Sequence, residues 1–104
     1  MLDLHSLIKS LSPTEKRYVT IYINRFSASK SNYSILYECI DKQEIYNETD
    51  VVKKLRKEPF IKHLSVTKHY LFELILNAMR EYYDEHFIEL IRKKDLLTFG
   101  DNHI

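Results

Sequence analysis

The sequence predicts an all-α fold, a compact bundle of five or six helices around a long central helix at about residues 65–84. One glycine and two prolines in 104 residues are too few for the many tight turns of a β-sandwich or barrel. Between Ser65 and Asp84, apolar and tyrosine side chains sweep roughly 200° of a helical wheel, so this helix needs neighbours on two sides. These residues are Leu71, Phe72, Leu74, Ile75, Leu76, Ala78, Met79, Tyr82 and Tyr83.

Two helices are predicted at the start of the chain. Asp3 can cap the first, whose apolar residues recur at helical spacing: Leu4, Leu7, Ile8 and Leu11. The second has the clearest start signal, because Ser12 can be the N-cap, Pro13 takes the first helical position and Glu15 completes a capping box. It continues for about four turns and ends in the polar run 27–32. Its apolar face is formed by Tyr18, Val19, Tyr22, Ile23 and Phe26.

Three further helices follow. Asn32 opens the third, whose buried stripe is Tyr33, Leu36, Tyr37 and Ile40. After a break at Asn47, a fourth helix is predicted from Asp50 to Lys57 and stops at Glu58, because a residue before proline disfavours the α conformation. Ser65 then caps the long central helix. Beyond Asp84 the helix either continues or a kink starts another, since a loose helical spacing persists at Phe87, Leu90, Ile91 and Leu97.

The composition excludes several classes of protein. The only cysteine is Cys39, so no internal disulfide can form, which is typical of the reducing cytoplasm. Residues 1–10 lack the basic and apolar parts of a signal peptide, and no run approaches the roughly 18–20 apolar residues that span a bilayer. We therefore expect a cytoplasmic protein with no membrane contact, folded as one domain over residues 1–104 with a frayed end at 98–104.

No pattern of residues indicates catalysis. The five histidines are scattered, and none is paired at the spacing of four that places two imidazoles on one helix face for zinc. Gly100 alone cannot build a phosphate-binding loop, and Cys39 lies beside a buried stripe, which is typical of a core residue. We therefore predict that the chain is not an enzyme, with no catalytic residue, metal, cofactor or small-molecule substrate.

The eight tyrosines are unusual for this length and have two interpretations. Most lie on or beside apolar helix faces, where a ring can be buried while its hydroxyl contacts water. Tyrosine is also enriched at protein interfaces. Adjacent residues diverge by about 100° on a helix, so Tyr82 and Tyr83 cannot both face the core. We predict a module that binds protein partners or itself, with Tyr82, Tyr83 and Phe87 as interface candidates.

A helix-turn-helix DNA-binding domain of a small regulator is the alternative. The apolar positions of that motif are matched within residues 60–74 by Leu64, Val66, Leu71 and Leu74. Six basic and two acidic residues between Asp50 and His69 could hold phosphates. Against this, the net charge is only +1, Pro59 leaves the preceding helix very short, and Ser65 replaces the usual turn glycine. The candidates are Lys53, Lys54, Arg56, Lys57, Lys62, Thr67, Lys68 and His69.

Three segments carry a resemblance to a known family. They are Leu11–Tyr18 (LSPTEKRY), Leu36–Gln43 (LYECIDKQ) and Leu64–Leu76 (LSVTKHYLFELIL). Together they resemble the N-terminal region of an uncharacterised bacterial family in which such motifs lead into tetratricopeptide-like helical repeats. The likeness covers roughly residues 5–83 and implies that the chain is the N-terminal part of a larger helical-repeat protein. It implies no activity, and no period of about 34 residues follows Asp84.

Overall fold

Five α-helices and one 3₁₀ helix make up the computed structural model, which describes residues 3–25 and 31–93. In chain order, the α-helices are α1 (Leu4–Ser10), α2 (Pro13–Asn24), α3 (Asn32–Asp41), α4 (Glu48–Lys54) and α5 (Leu64–Lys93), with the 3₁₀ helix at Pro59–His63 before α5. The described residues contain no strand, so the predicted all-α fold is confirmed. Predictions for Phe26, Leu97 and residues 98–104 lie outside the described residues.

The predicted caps of the first two helices are present. The carboxylate of Asp3 accepts a hydrogen bond from the backbone N–H of Ser6 at 2.8 Å. At the start of α2, the Ser12 hydroxyl accepts from the Glu15 N–H at 3.2 Å, and the Glu15 carboxylate accepts from the Ser12 N–H at 2.7 Å. This reciprocal pair satisfies two N–H groups that the helix itself cannot pair.

One predicted helix start is confirmed and the two predicted ends of α4 differ from the structure. Helix α3 begins at Asn32 as predicted, and its N-cap is Ser31, whose hydroxyl accepts from the Ser34 N–H. Helix α4 begins at Glu48 because Asn47 caps it through the Asp50 N–H, and it ends at Lys54 instead of Lys57. The predicted start of α4 missed that the Asn47 side chain takes the capping role, which sequence spacing alone does not resolve.

The start of α5 was also predicted incorrectly. Ser65 does not cap this helix, because the 3₁₀ helix passes directly into α5 at Leu64, whose φ of −56° and ψ of −43° are helical. The backbone therefore needs no side-chain cap at this point. At its other end, α5 continues through Asp84 to Lys93, giving 30 residues and a length of about 45 Å.

The other helices pack on the first two thirds of α5, which is the central helix of the bundle. Leu71, Ile75 and Ala78 are completely buried, at 0% exposure, together with residues from α1 to α4. These partners are Ile8, Val19, Leu36, Ile40 and Val51. The predicted apolar arc of α5 is therefore covered from Leu71 to Tyr82, although several of its members are only half-buried. None of the helices in the described part is long and apolar enough to cross a membrane.

Candidate protein-interaction surface

The last eleven residues of α5, Tyr83–Lys93, differ from the rest of that helix and are called here the α5 extension. Every side chain whose exposure the structure describes in this segment is exposed. Three of them are large and apolar: Tyr83 is 55% exposed, Phe87 62% and Ile88 48%. A contiguous cluster of this kind is typical of a surface that another molecule covers, whereas scattered single exposed residues are ordinary.

The direction of this cluster distinguishes it from the core. Successive residues turn by about 100° around a helix, which places Phe87 roughly 150° and Ile88 roughly 110° from the centre of the buried face of Leu71, Ile75 and Ala78. They lie on either side of the exposed polar stripe that runs along Glu73, Asn77 and Arg80. Phe87 and Ile88 therefore lie outside the face of α5 that the bundle buries.

A set of contacts with α2 holds α5 at the point where the extension begins. The Tyr18 ring packs edge-on against Tyr82 with centroids 5.1 Å apart, and its hydroxyl donates to Glu81 at 2.5 Å. Arg25 forms an ion pair with the same Glu81 carboxylate at 3.2 Å. The Tyr83 hydroxyl donates to the carboxylate of Glu15. Since these contacts come from both ends of α2, they determine the direction in which the extension leaves the bundle.

The same contacts shift the pKa values of the groups involved. The hydrogen bond to Glu81, with burial as the second cause, raises the pKa of Tyr18 to about 12. Hydrogen bonds from Tyr18 and Arg25 lower the pKa of Glu81, and the hydrogen bond from Tyr83 lowers the pKa of Glu15. Both carboxylates are therefore charged at neutral pH while they accept hydrogen bonds, which makes those bonds stronger than neutral ones.

The predicted interface candidates take different places around this junction. Tyr83 and Phe87 are four residues apart and lie on neighbouring turns of the exposed side. Tyr82 is half-buried between Tyr18 and His86, whose ring centroid is 4.0 Å away, and it belongs to the junction with α2. Ile88 was missed by the sequence analysis. Its spacing of three from Ile91, within the same helical pattern, was the signal that could have found it.

The α5 extension carries opposite charges at its two ends. Asp84, Glu85 and Glu89 are exposed in its first part, and Arg92 and Lys93 are exposed at its end. Lys93 lies 3.5 Å from Glu89 one turn earlier. Acidic residues followed by basic residues give the segment a charge direction, and Phe87 and Ile88 lie between Glu85 and Glu89.

The alternative nucleic-acid site is only partly assembled. Thr67 is buried, and its hydroxyl donates to the His63 carbonyl at 3.1 Å, so it cannot reach a base edge. Lys68 donates to the Glu48 carboxylate at 2.8 Å and lies 4.7 Å from the centre of the Tyr46 ring. Thr67 therefore bonds to the backbone one turn earlier in the chain, and Lys68 links α5 to the start of α4. His69 is exposed.

The geometry of the helix-turn-helix motif is also different from the prediction. No turn separates the 3₁₀ helix from α5, and Val66, expected as an apolar pin, is 51% exposed. What remains is a basic cluster of exposed side chains around the end of α4. Its members are Lys53, Lys54, Arg56, Lys57 and Lys62. Lys54 pairs with Asp50 at 3.2 Å, whereas the other four form no ion pair with any residue that the structure describes.

Two further findings concern metal binding and the reactivity of Cys39. Across residues 3–25 and 31–93, no group of three or more histidine, cysteine or acidic side chains is arranged to hold a metal ion. Cys39 is half-buried beside a cavity of about 360 Å³ between α3 and the end of α4. Burial raises the pKa of its thiol, so the reactive thiolate is a minor form at neutral pH.

Comparison with known proteins adds no relative: no protein-family model, no curated protein and no solved structure matches this chain. The resemblance to the bacterial repeat family therefore stays a prediction.

Proposed function

We propose that the chain is a non-enzymatic interaction module that binds a protein through the α5 extension. The observation that carries this proposal is the apolar cluster of Tyr83, Phe87 and Ile88, whose side chains are each about half exposed or more. Aromatic side chains surrounded by charged ones are the usual composition of a binding hot spot. In this proposal the bundle is a support, and α2 sets the angle at which the extension is presented.

The energetics support a covered extension. A helix of about ten residues is marginal by itself in water, because nucleation and fraying outweigh its few internal hydrogen bonds. Full burial of a phenylalanine or isoleucine side chain is worth about 1.5–3 kcal/mol each. Since Phe87 and Ile88 are each roughly half exposed, a partner that covers both gains on the order of 2–3 kcal/mol from these two residues.

Site-specific photocrosslinking in the native host tests this proposal. A benzophenone amino acid replaces Phe87 in one variant and Val66 in a control, because both residues lie exposed on α5 but on different parts of it. We expect a covalent protein adduct at position 87 and none at position 66. Equal labelling at the two positions, or no adduct at position 87, would contradict the proposal.

A second candidate function is binding of a nucleic-acid backbone by the basic cluster. It is favoured by one observation, the four exposed cations Lys53, Arg56, Lys57 and Lys62 that lack an ion-pair partner among the described residues. If all four neutralise phosphates, the slope of log K against log salt should be about −3.6. Electrophoretic shift of random duplex at low salt tests this. The absence of a shift, or a shift unchanged by Lys53→Glu with Lys57→Glu, removes this candidate.

A further inference from the structure

The charges of the α5 extension indicate which partner fits it. A parallel second copy would place Asp84, Glu85 and Glu89 beside their own equivalents, and would place Arg92 and Lys93 beside theirs. Like charges at one level repel each other. An antiparallel copy related by a twofold axis at Ile88 places Asp84 level with Arg92 of the second copy, because each lies four residues from the axis. That arrangement forms two contacts between Asp84 of one copy and Arg92 of the other, one on each side of the axis.

Resting on the proposed function, we infer that the partner is a second copy of this chain, with the two α5 extensions packed antiparallel around Phe87 and Ile88. Two structural facts support this choice of occupant. Phe87 and Ile88 lie near the centre of the segment, with Asp84 four residues before Ile88 and Arg92 four residues after it, which is the order that an isologous twofold interface with facing opposite charges needs. Phe87 and Ile88 are also exposed and lie outside the buried face of α5, so a second copy can reach both side chains.

The size of the interface sets the expected strength. The extension is eleven residues, about 16 Å of helix, so a pair of extensions buries much less than the roughly 1,600 Å² of a standard stable interface. The dimer should therefore be reversible and dependent on concentration. Sedimentation of the purified full chain from about 5 to 500 µM should show a shift from one copy, 12.6 kDa, toward about 25 kDa.

Charge reversals test the antiparallel orientation. Asp84→Lys and Arg92→Glu should each weaken the dimer at least tenfold, because each creates two like-charge contacts across the twofold axis. The chain with both substitutions should return to the wild-type dissociation constant, and so should an equal mixture of the two single variants. In a parallel pair the single reversals would exchange one like-charge contact for another and change little.

Apolar substitutions and crosslinks complete the test. Phe87→Ser with Ile88→Ser should abolish the dimer, while Val66→Ser with Tyr70→Ser, a control pair of similar exposure on the same helix, should leave it unchanged. Circular dichroism verifies that both variants fold. With Cys39→Ser in the background, a short bismaleimide should join Asp84→Cys to Arg92→Cys in a mixture of the two variants.

Three results would overturn the inference: a monomer at every concentration, a dimer insensitive to Phe87 and Ile88, or crosslinks that join Asp84→Cys only to itself. A monomer, or a dimer insensitive to Phe87 and Ile88, would not by itself contradict the proposed function. In that case a protein adduct at position 87 in cells would identify a different partner by its mass. An adduct at about twice the mass of the chain supports both the function and the inference.

Discussion

Replacing Ile75 by alanine is the perturbation that measures how tightly the bundle holds α5. Ile75 is completely buried at the centre of the core. The substitution removes three buried carbon groups, worth about 2.4 kcal/mol at roughly 0.8 kcal/mol each. The cavity that remains adds to this loss, and the higher helix propensity of alanine offsets a few tenths of a kcal/mol. We expect a net loss of about 3 kcal/mol in the free energy of unfolding.

The control is Ile88→Ala, which makes the same chemical change on the same helix at a residue that is 48% exposed. At about 2 µM, where the inferred dimer is dissociated, it should change the free energy of unfolding by less than about 0.5 kcal/mol. Urea unfolding followed by circular dichroism measures both values. Thermal unfolding should show Ile75→Ala melting roughly 12–24 °C below the wild type.

A loss below about 1 kcal/mol for Ile75→Ala would refute the reasoning, because it would mean that the α5 core is not close-packed. Equal losses for Ile75→Ala and Ile88→Ala would also refute it, because they would place both residues in the same environment.

The remaining predictions concern caps and titrating groups. Ser12→Ala should destabilise the fold by about 1 kcal/mol in urea unfolding, since it removes half of the capping box; an unchanged midpoint would show that the box is not formed. Because the folded pKa of Glu81 is lowered, its stabilising contribution is present above its unfolded pKa and is lost as the pH falls through the lower folded pKa. Glu81→Gln should therefore reduce the loss of folding stability at acid pH. A loss at acid pH identical to that of the wild type would contradict this assignment. The folded pKa of Tyr18 is raised to about 12, so the contribution of Tyr18 to folding stability is complete below its unfolded pKa and is lost as the pH rises through about 12. Tyr18→Phe should remove this loss of stability at alkaline pH. If the loss persists in the variant, another group causes it.

Much of the fold could be predicted from local sequence signals. Asp3 and Ser12 cap helices as expected, because a cap depends on residues only three positions apart. The width of the apolar arc around Ile75 correctly indicated a helix with neighbours on two sides. Ser65 was misassigned because a serine after an apolar residue looks like a cap, whereas the preceding 3₁₀ helix already supplies helical backbone at Leu64.

The candidate site was less predictable because its identity depends on tertiary packing. Thr67 looked like a surface residue of a recognition helix, but its place in the fold buries it and its hydroxyl donates to the carbonyl of His63 in the preceding 3₁₀ helix. Lys68 looked available for phosphates, but Glu48, twenty positions earlier in the chain, pairs with it. The sequence did not show that the α5 extension is separate from the core, because apolar residues continue at helical spacing after Asp84. Phe87, however, lies on a different side of the helix from the buried residues.

Hydrogen–deuterium exchange along α5 tests the central claim most directly. The claim is that α1 to α4 cover α5 from Leu71 to Tyr82, whereas the described side chains from Asp84 onward are exposed. In dilute solution, amides from 71 to 82 should exchange only through global unfolding, and those from 84 to 93 should exchange many times faster. Fast exchange over residues 71–82, or uniform protection up to Lys93 in a dilute monomer, would contradict the claim.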